Sequence, residues 1–205
     1  MIWTMCKTFI PTLTCRKTKS KIAIEAGKFL ACFLYYKGDI DLIALGIDPG
    51  TAICGYGIVD LTGNKLRPIH FGAVFTDKDM APELRLKKIY EEISVLIDTY
   101  KPDIMSIEKL FFNRNVTTAI PVGQARGVVL LAAANKNLPI LEFTPMQIKL
   151  AVVGTGSATK EQVTFMVQHL LNIRQKPKPD DVADALAVAI CGLHTAATRR
   201  WQELI

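Results

Sequence analysis

Gly46-Ile47-Asp48-Pro49-Gly50-Thr51 is the stretch on which the fold of this chain turns. The apolar run Leu42-Ile43-Ala44-Leu45 leads into it and reads as a buried strand. Pro49 and Gly50 then force a turn. Asp48 is therefore an acid at the tip of a core strand, with no cation beside it in sequence. A buried carboxylate requires a partner or a metal.

Outward from that turn the pattern is α/β. Ile53-Cys54-Gly55-Tyr56-Gly57-Ile58-Val59 predicts a second strand paired with the first, and a third lies near Gly72-Ala73-Val74-Phe75. Leu86, Ile89, Tyr90, Ile93, Ile97 and Tyr100 recur at helical spacing while Lys87, Lys88, Glu91 and Glu92 face away. That amphipathic helix stops near Pro102. Ile104-Met105-Ser106-Ile107-Glu108 reads as a fourth strand with an acid at its end. Val116 to Asn135 predicts a helix rich in small residues, suited to core packing or a subunit contact. Leu138 to Phe143 reads as a fifth strand, and two more helices are expected at Lys160–Leu171 and Asp180–Thr198.

The 205 residues suit one domain with extra sequence. The expected division is an extension over 1–41, a domain over 42–199 and a tail over 200–205. Half of the residues are hydrophobic, enough for a sizeable core, and the formal charge is +6. Residues 1–41 hold seven Lys/Arg against three Asp/Glu, so most of that charge lies outside the domain. Overall basicity alone therefore does not argue for a polyanion partner. The extension reads as a dispensable addition; a targeting peptide is the alternative, weakened because no small-residue cleavage site follows the apolar patch Phe29–Tyr36. Five scattered cysteines without a CxxC pair argue against a disulfide framework or a zinc site and fit a reducing cytosol. No stretch reaches the ~20 apolar residues of a membrane span.

The acids form a pattern. Asp48 and Glu108 both end strands, and adjacent strands bring such tips together. Asp181 and Asp184 are three apart and share one face of the last helix. Asp180, after Pro179, reads as its N-cap. Singly, each acid has an ordinary explanation: a turn cap for Asp48, an ion pair with Lys109 or Arg126 for Glu108, the helix dipole for Asp181. Together they suggest one carboxylate cluster, and carboxylates so packed repel unless a hard cation sits among them. Mg²⁺ takes oxygen ligands, and a pair of such ions roughly 4 Å apart suits phosphodiester cleavage.

Gly46-Ile47-Asp48-Pro49-Gly50, Gly55-Tyr56-Gly57, Ile107-Glu108, Gly123-Gln124-Ala125-Arg126-Gly127, Val152-Val153-Gly154-Thr155-Gly156 and Asp181-Val182-Ala183-Asp184-Ala185-Leu186-Ala187 occur in this order. The series resembles the RuvC family of crossover-junction endodeoxyribonucleases over about residues 42–199. Each motif is short, but the ordered set is specific. The resemblance implies an RNase H-like α/β fold with a mixed five-stranded sheet flanked by helices. It implies a cytoplasmic homodimer that resolves four-way DNA junctions by paired symmetric nicks, leaving 5′-phosphate and 3′-hydroxyl ends, and that works with a branch-migration motor. It also implies that Asp48, Glu108, Asp181 and Asp184 bind two Mg²⁺ ions. Lys149 and Lys160 match basic positions near the family's active site, and Phe111 matches an aromatic used at the junction centre. Arg114, Arg126, Lys176 and Lys178 are candidate phosphate contacts, with a structural ion pair as the alternative for Arg126.

Two rivals compete with this expectation. Asp48-Pro49-Gly50-Thr51 followed by Gly55 and Gly57 also resembles the phosphate loop of actin-like and sugar-kinase-like ATPases. The domain is too short for two such lobes and carries no second phosphate motif. A junction-binding protein without nuclease activity is the other rival, and it gains nothing from four acids facing DNA phosphates.

Overall fold

The computed structural model describes residues 41–109 and 116–202. Its elements are β1 (Asp41–Asp48), β2 (Ile53–Thr62), β3 (Lys65–Phe75), α1 (Pro82–Tyr100), β4 (Ile104–Glu108), α2 (Val116–Asn135), β5 (Ile140–Phe143), α3 (Pro145–Val153), α4 (Lys160–Leu170) and α5 (Asp180–Gln202). The strands form one sheet in the order β3-β2-β1-β4-β5. β1, β2 and β3 pair antiparallel, whereas β4 and β5 join β1 in parallel. The sheet is therefore mixed and five-stranded, as expected.

Strand alternation divides the side chains between two faces. Leu45, Ile47, Cys54, Ile58, Met105 and Ile107 face one way. They form the main core with Ile89, Ile93 and Ile97 of α1 and Ala125, Val129, Ala132 and Ala133 of α2. Burying each of the large aliphatic side chains contributes about 1.5–3 kcal/mol. The opposite face is narrow and glycine-rich, and α5 lies on it. A Cβ on Gly46 would fall 2.1 Å from the Ala185 carbonyl oxygen, and one on Gly57 would fall 2.6 Å from Leu186 Cδ2. The helix approaches so closely only because those positions lack side chains.

α5 is nearly all buried from Val182 to Leu193. By length and composition its Asp180–Thr198 stretch could cross a membrane, but 67% of that window is buried inside the protein. It is a core helix packed between the sheet and the helices α3 and α4, apolar because protein surrounds it.

The structure corrects several expected boundaries. β3 begins at Lys65, not near Gly72. Lys65, Arg67 and Pro68 hide its alternation, and an edge strand tolerates Pro because its N–H side needs no partner. The pairing slips at Ile58/Val59, which leaves Ile69 between the paired residues Pro68 and His70. β5 is shorter than expected, starting at Ile140. α3 was absent from the expected elements. Its start carries a capping box, with Thr144 accepting from the Gln147 backbone and the Gln147 side chain accepting from Thr144, and Gly154 ends it at φ 85. Asp180 is the first residue of α5 rather than a cap outside it, and its carboxylate forms ion pairs instead.

Candidate active site

Register and parity bring the first two acids together. Ile47 pairs with Ile107 across the parallel β1–β4 ladder, so Asp48 and Glu108 follow side by side. Asp48 shares its face with Gly46, and Glu108 shares its face with Ser106, which packs under Gly192 of α5. Both acids therefore project on the α5 side. Gly55 pairs with Asp48, and a Cβ on Gly55 would fall 2.2 Å from the Asp181 carbonyl oxygen. The close descent of α5 onto the sheet thus delivers Asp181, and Asp184 one turn later, to the strand tips.

The electrostatics agree with that convergence. Asp48 is pushed up from 3.8 to about 7, first by burial and then by the charges of Asp184, Asp181 and Glu108, with Lys160 opposing. Glu108 is also raised, first by burial and then by Asp184, with Lys149 opposing. Beneath them the Cys54 thiol is pushed up to about 12, chiefly by burial. It is a neutral core group and offers no thiolate ligand at neutral pH.

Two lysines border the acids. Lys160 opens α4 directly after a second capping box, formed by Thr159 and Gln162. Its Nζ lies 2.9 Å from Asp184 Oδ2 and 4.0 Å from Asp180 Oδ2. Lys176 holds Asp180 in turn at 3.0 Å. The hydrogen bond to Asp184 is the main cause of the raised Lys160 pKa. Lys149 projects from α3 close enough to Glu108 to stabilise its charge.

Among the described residues, no three acids stand at metal-ligand spacing. The expected four-acid cage is thus a neighbourhood of mutually repelling carboxylates, with Asp184 turned to Lys160. The donor chemistry nevertheless fits a hard divalent cation. Every member is a carboxylate, and a cation among them would offset both the burial and the mutual repulsion that raise Asp48 and Glu108.

Other expected residues are placed differently. Arg126 is buried and pairs with Glu142 at 3.0 Å, so it is the structural ion pair rather than a surface phosphate contact, and its partner is not Glu108. Lys176 is engaged with Asp180. Phe111 and Arg114 lie outside the described residues. Sequence reading missed the Thr51–Thr76–Arg85 hydrogen bonds behind Asp48, because no periodicity links a strand end to a helix start.

The family model described as "Crossover junction endodeoxyribonuclease RuvC" matches residues 44–192. The chain belongs to the RuvC family. RuvC of Desulforamulus reducens is 52% identical over 157 residues, which cover 77% of this chain and 96% of that protein. RuvC of Alkaliphilus oremlandii is 56% identical over 154 residues, covering 75% and 94%. Among solved structures, Thermus thermophilus RuvC superposes with a TM-score of 0.72 at 34% identity, covering 77% of this chain and 96% of that one. The same Thermus protein in complex with a Holliday junction substrate gives 0.72 at 35% identity, covering 76% and 94%. The yeast mitochondrial Holliday junction resolvase, at 14% identity and a TM-score of 0.56, shares the fold. This RuvC chain is thus an endodeoxyribonuclease with the RNase H-like architecture, from a family of divalent-metal-dependent nucleases.

Proposed function

We propose that this RuvC chain resolves four-way DNA junctions by paired symmetric nicks, with Asp48, Glu108, Asp181 and Asp184 as catalytic acids holding two Mg²⁺ ions. The observation that carries the site assignment is the raised Asp48, on which the other three acids all act. Three separate elements, β1, β4 and α5, contribute to that one neighbourhood.

When bound, Mg²⁺ supplies Lewis-acid stabilisation of phosphate charge and eases deprotonation of an attacking water. The chain's residues do the rest. Asp48 and Glu108 stand on rigid strand ends, so the backbone fixes their spacing. Asp181 and Asp184 close the site from α5. Lys160, released from Asp184, offsets charge building on the non-bridging phosphate oxygens, and Lys149 acts from the Glu108 side. Water oxygen bonds to phosphorus, the bond to O3′ breaks, and O3′ leaves with a proton. The products are a 5′-phosphate and a 3′-hydroxyl, which a ligase can rejoin.

Recognition rests on other residues. Phe111 stacks on an unpaired base at the junction centre, a contact worth ~1–3 kcal/mol, and Arg114 holds a neighbouring phosphate. Two symmetric cuts need two active sites, and α2 offers the contact between copies. Ile120 and Leu131 are 60% and 53% exposed on this helix, and nothing lies within 4 Å of a Cβ at Gly123 or Gly127. These four positions recur at helical spacing, so a second α2 can approach closely along them. The homodimer works in the cytoplasm with a branch-migration motor, and residues 1–41 are dispensable for cutting. Asp184→Asn tests the site assignment: it keeps junction binding and loses cleavage, and normal cutting by this variant would remove Asp184 from the mechanism.

A further inference from the structure

Behind Asp48 stands a hydrogen-bonded relay that serves no part of the chemistry described above. Thr76, buried just after β3, donates from Oγ1 to the Thr51 carbonyl. Its backbone N–H donates to the Ala52 carbonyl at 3.0 Å. Arg85, the fourth residue of α1, donates from Nε to Thr76 Oγ1 at 2.8 Å. One threonine therefore grips two successive carbonyls of the turn that carries Asp48, and one arginine grips the threonine.

The placement of Arg85 needs a reason. The N-cap of α1, Ala81, offers no side-chain cap, and a cation near a helix N-terminus opposes the helix dipole. The bond to Thr76 supplies that reason. A charged donor polarises the threonine hydroxyl, which strengthens its own donation to Thr51. The turn has little slack elsewhere: a Cβ on Gly50 would fall 2.2 Å from the Ile53 carbonyl oxygen. From Asp48 to Ile53 the chain is thus held from one side by its own tight packing and from the other by Thr76.

We propose that Thr76 and Arg85 are positioning residues that fix the Asp48 turn and thereby set the site's affinity for its divalent cation. This rests on the reading of Asp48 as a metal ligand. Neither residue touches the reacting atoms. Both act through the Thr51 and Ala52 carbonyls.

The test is titration of the full-length, metal-free protein with Mn²⁺, without DNA, followed by calorimetry. Thr76→Val, which keeps the shape and removes the hydroxyl, weakens Mn²⁺ binding by about tenfold, as residues supporting metal ligands commonly do. Thr76→Ser restores it. Arg85→Met weakens it less, and the double variant Thr76→Val/Arg85→Met is no weaker than Thr76→Val alone, because both act through one hydroxyl. Four-way junction binding without metal stays at the wild-type level in all of them. Asp48→Asn is measured in parallel. If Asp48→Asn loses Mn²⁺ affinity while Thr76→Val and Arg85→Met keep it, the relay is overturned and the ligand assignment stands. If Asp48→Asn keeps its affinity, the ligand assignment itself fails. Additive effects of Thr76→Val and Arg85→Met, or a Thr76→Ser as weak as Thr76→Val, also overturn the relay. Should Thr76→Val not fold, Arg85→Met alone decides, since wild-type affinity in that variant contradicts the inference.

Discussion

Gly55 lies directly beneath Asp181: a Cβ there would fall 2.2 Å from the Asp181 carbonyl oxygen and 3.0 Å from the Asp181 Cβ. A glycine in a strand thus sets the height of a helix, and the helix sets the position of an acid. Gly55→Ala must push α5 away or strain the strand. The expected cost is about 1–3 kcal/mol of stability. Shifting Asp181 by a fraction of an ångström is expected to lower single-turnover cleavage by about a hundredfold. Thermal unfolding and junction cleavage of this one variant check both, and wild-type cleavage would mean α5 need not sit where the structure has it.

The raised Asp48 predicts a pH dependence with a definite sign. Its folded value is about 7 against an ordinary 3.8, so between these values the folded chain holds a proton that the unfolded chain gives up. Its contribution is therefore most favourable below about pH 4, falls as pH rises to about 7, and is level above that. The full span is at most about 4 kcal/mol. Denaturant unfolding of metal-free protein between pH 5 and 8 should show this decline in wild type and a flatter profile in Asp48→Asn. Parallel profiles would contradict the burial of this charge among the other acids.

Lys160 separates stability from chemistry. Its pair with Asp184 is half exposed, with side chains 52% and 32% accessible, so it contributes little to folding. Its charge beside the acids matters more. Lys160→Met should retain junction binding and melt near wild type, yet cleave about a hundredfold more slowly at saturating Mg²⁺. A cleavage rate within experimental error of wild type would reduce Lys160 to a surface ion pair.

The open stripe on α2 predicts the assembly. A Cβ at Gly127 would meet nothing within 4 Å in one copy, so the helix surface is open there and Gly127→Arg should fold, gaining slightly from the loss of a mid-helix glycine. Against a second α2 the same side chain collides. Sedimentation should give a monomer for Gly127→Arg and a dimer for wild type. A dimeric variant would move the contact between copies to another surface.

Much of this was readable from the residues. β1 and β4 are apolar runs ending in an acid, and parallel pairing makes such acids neighbours. The stripe of α1 marks its buried face as Ile89, Ile93 and Ile97, which the structure buries. The glycines were ambiguous. Gly55 and Gly57 suit a phosphate loop as well as a helix seat, and only the descent of α5 decides between them. The start of β3 was illegible because an exposed edge strand need not alternate. α3 went unread although Thr144-Pro145-Met146-Gln147 carries a capping signal. The residues leave Arg126 open between a phosphate contact and a structural ion pair; the ion pair forms, with Glu142 on the neighbouring strand, a partner that depends on the pitch of α2 rather than on sequence spacing.

The most direct measurement uses the full-length protein, a synthetic four-way junction with each strand labelled in turn, and Mg²⁺. The expected result is a pair of nicks at symmetric positions in opposing strands. Each should leave a 5′-phosphate that a ligase can seal, and each should be absent with chelator and in Asp184→Asn. A junction that is bound in Mg²⁺ yet stays uncut, or is cut in one strand only or at unrelated positions, would contradict the assignment of these four acids to junction resolution.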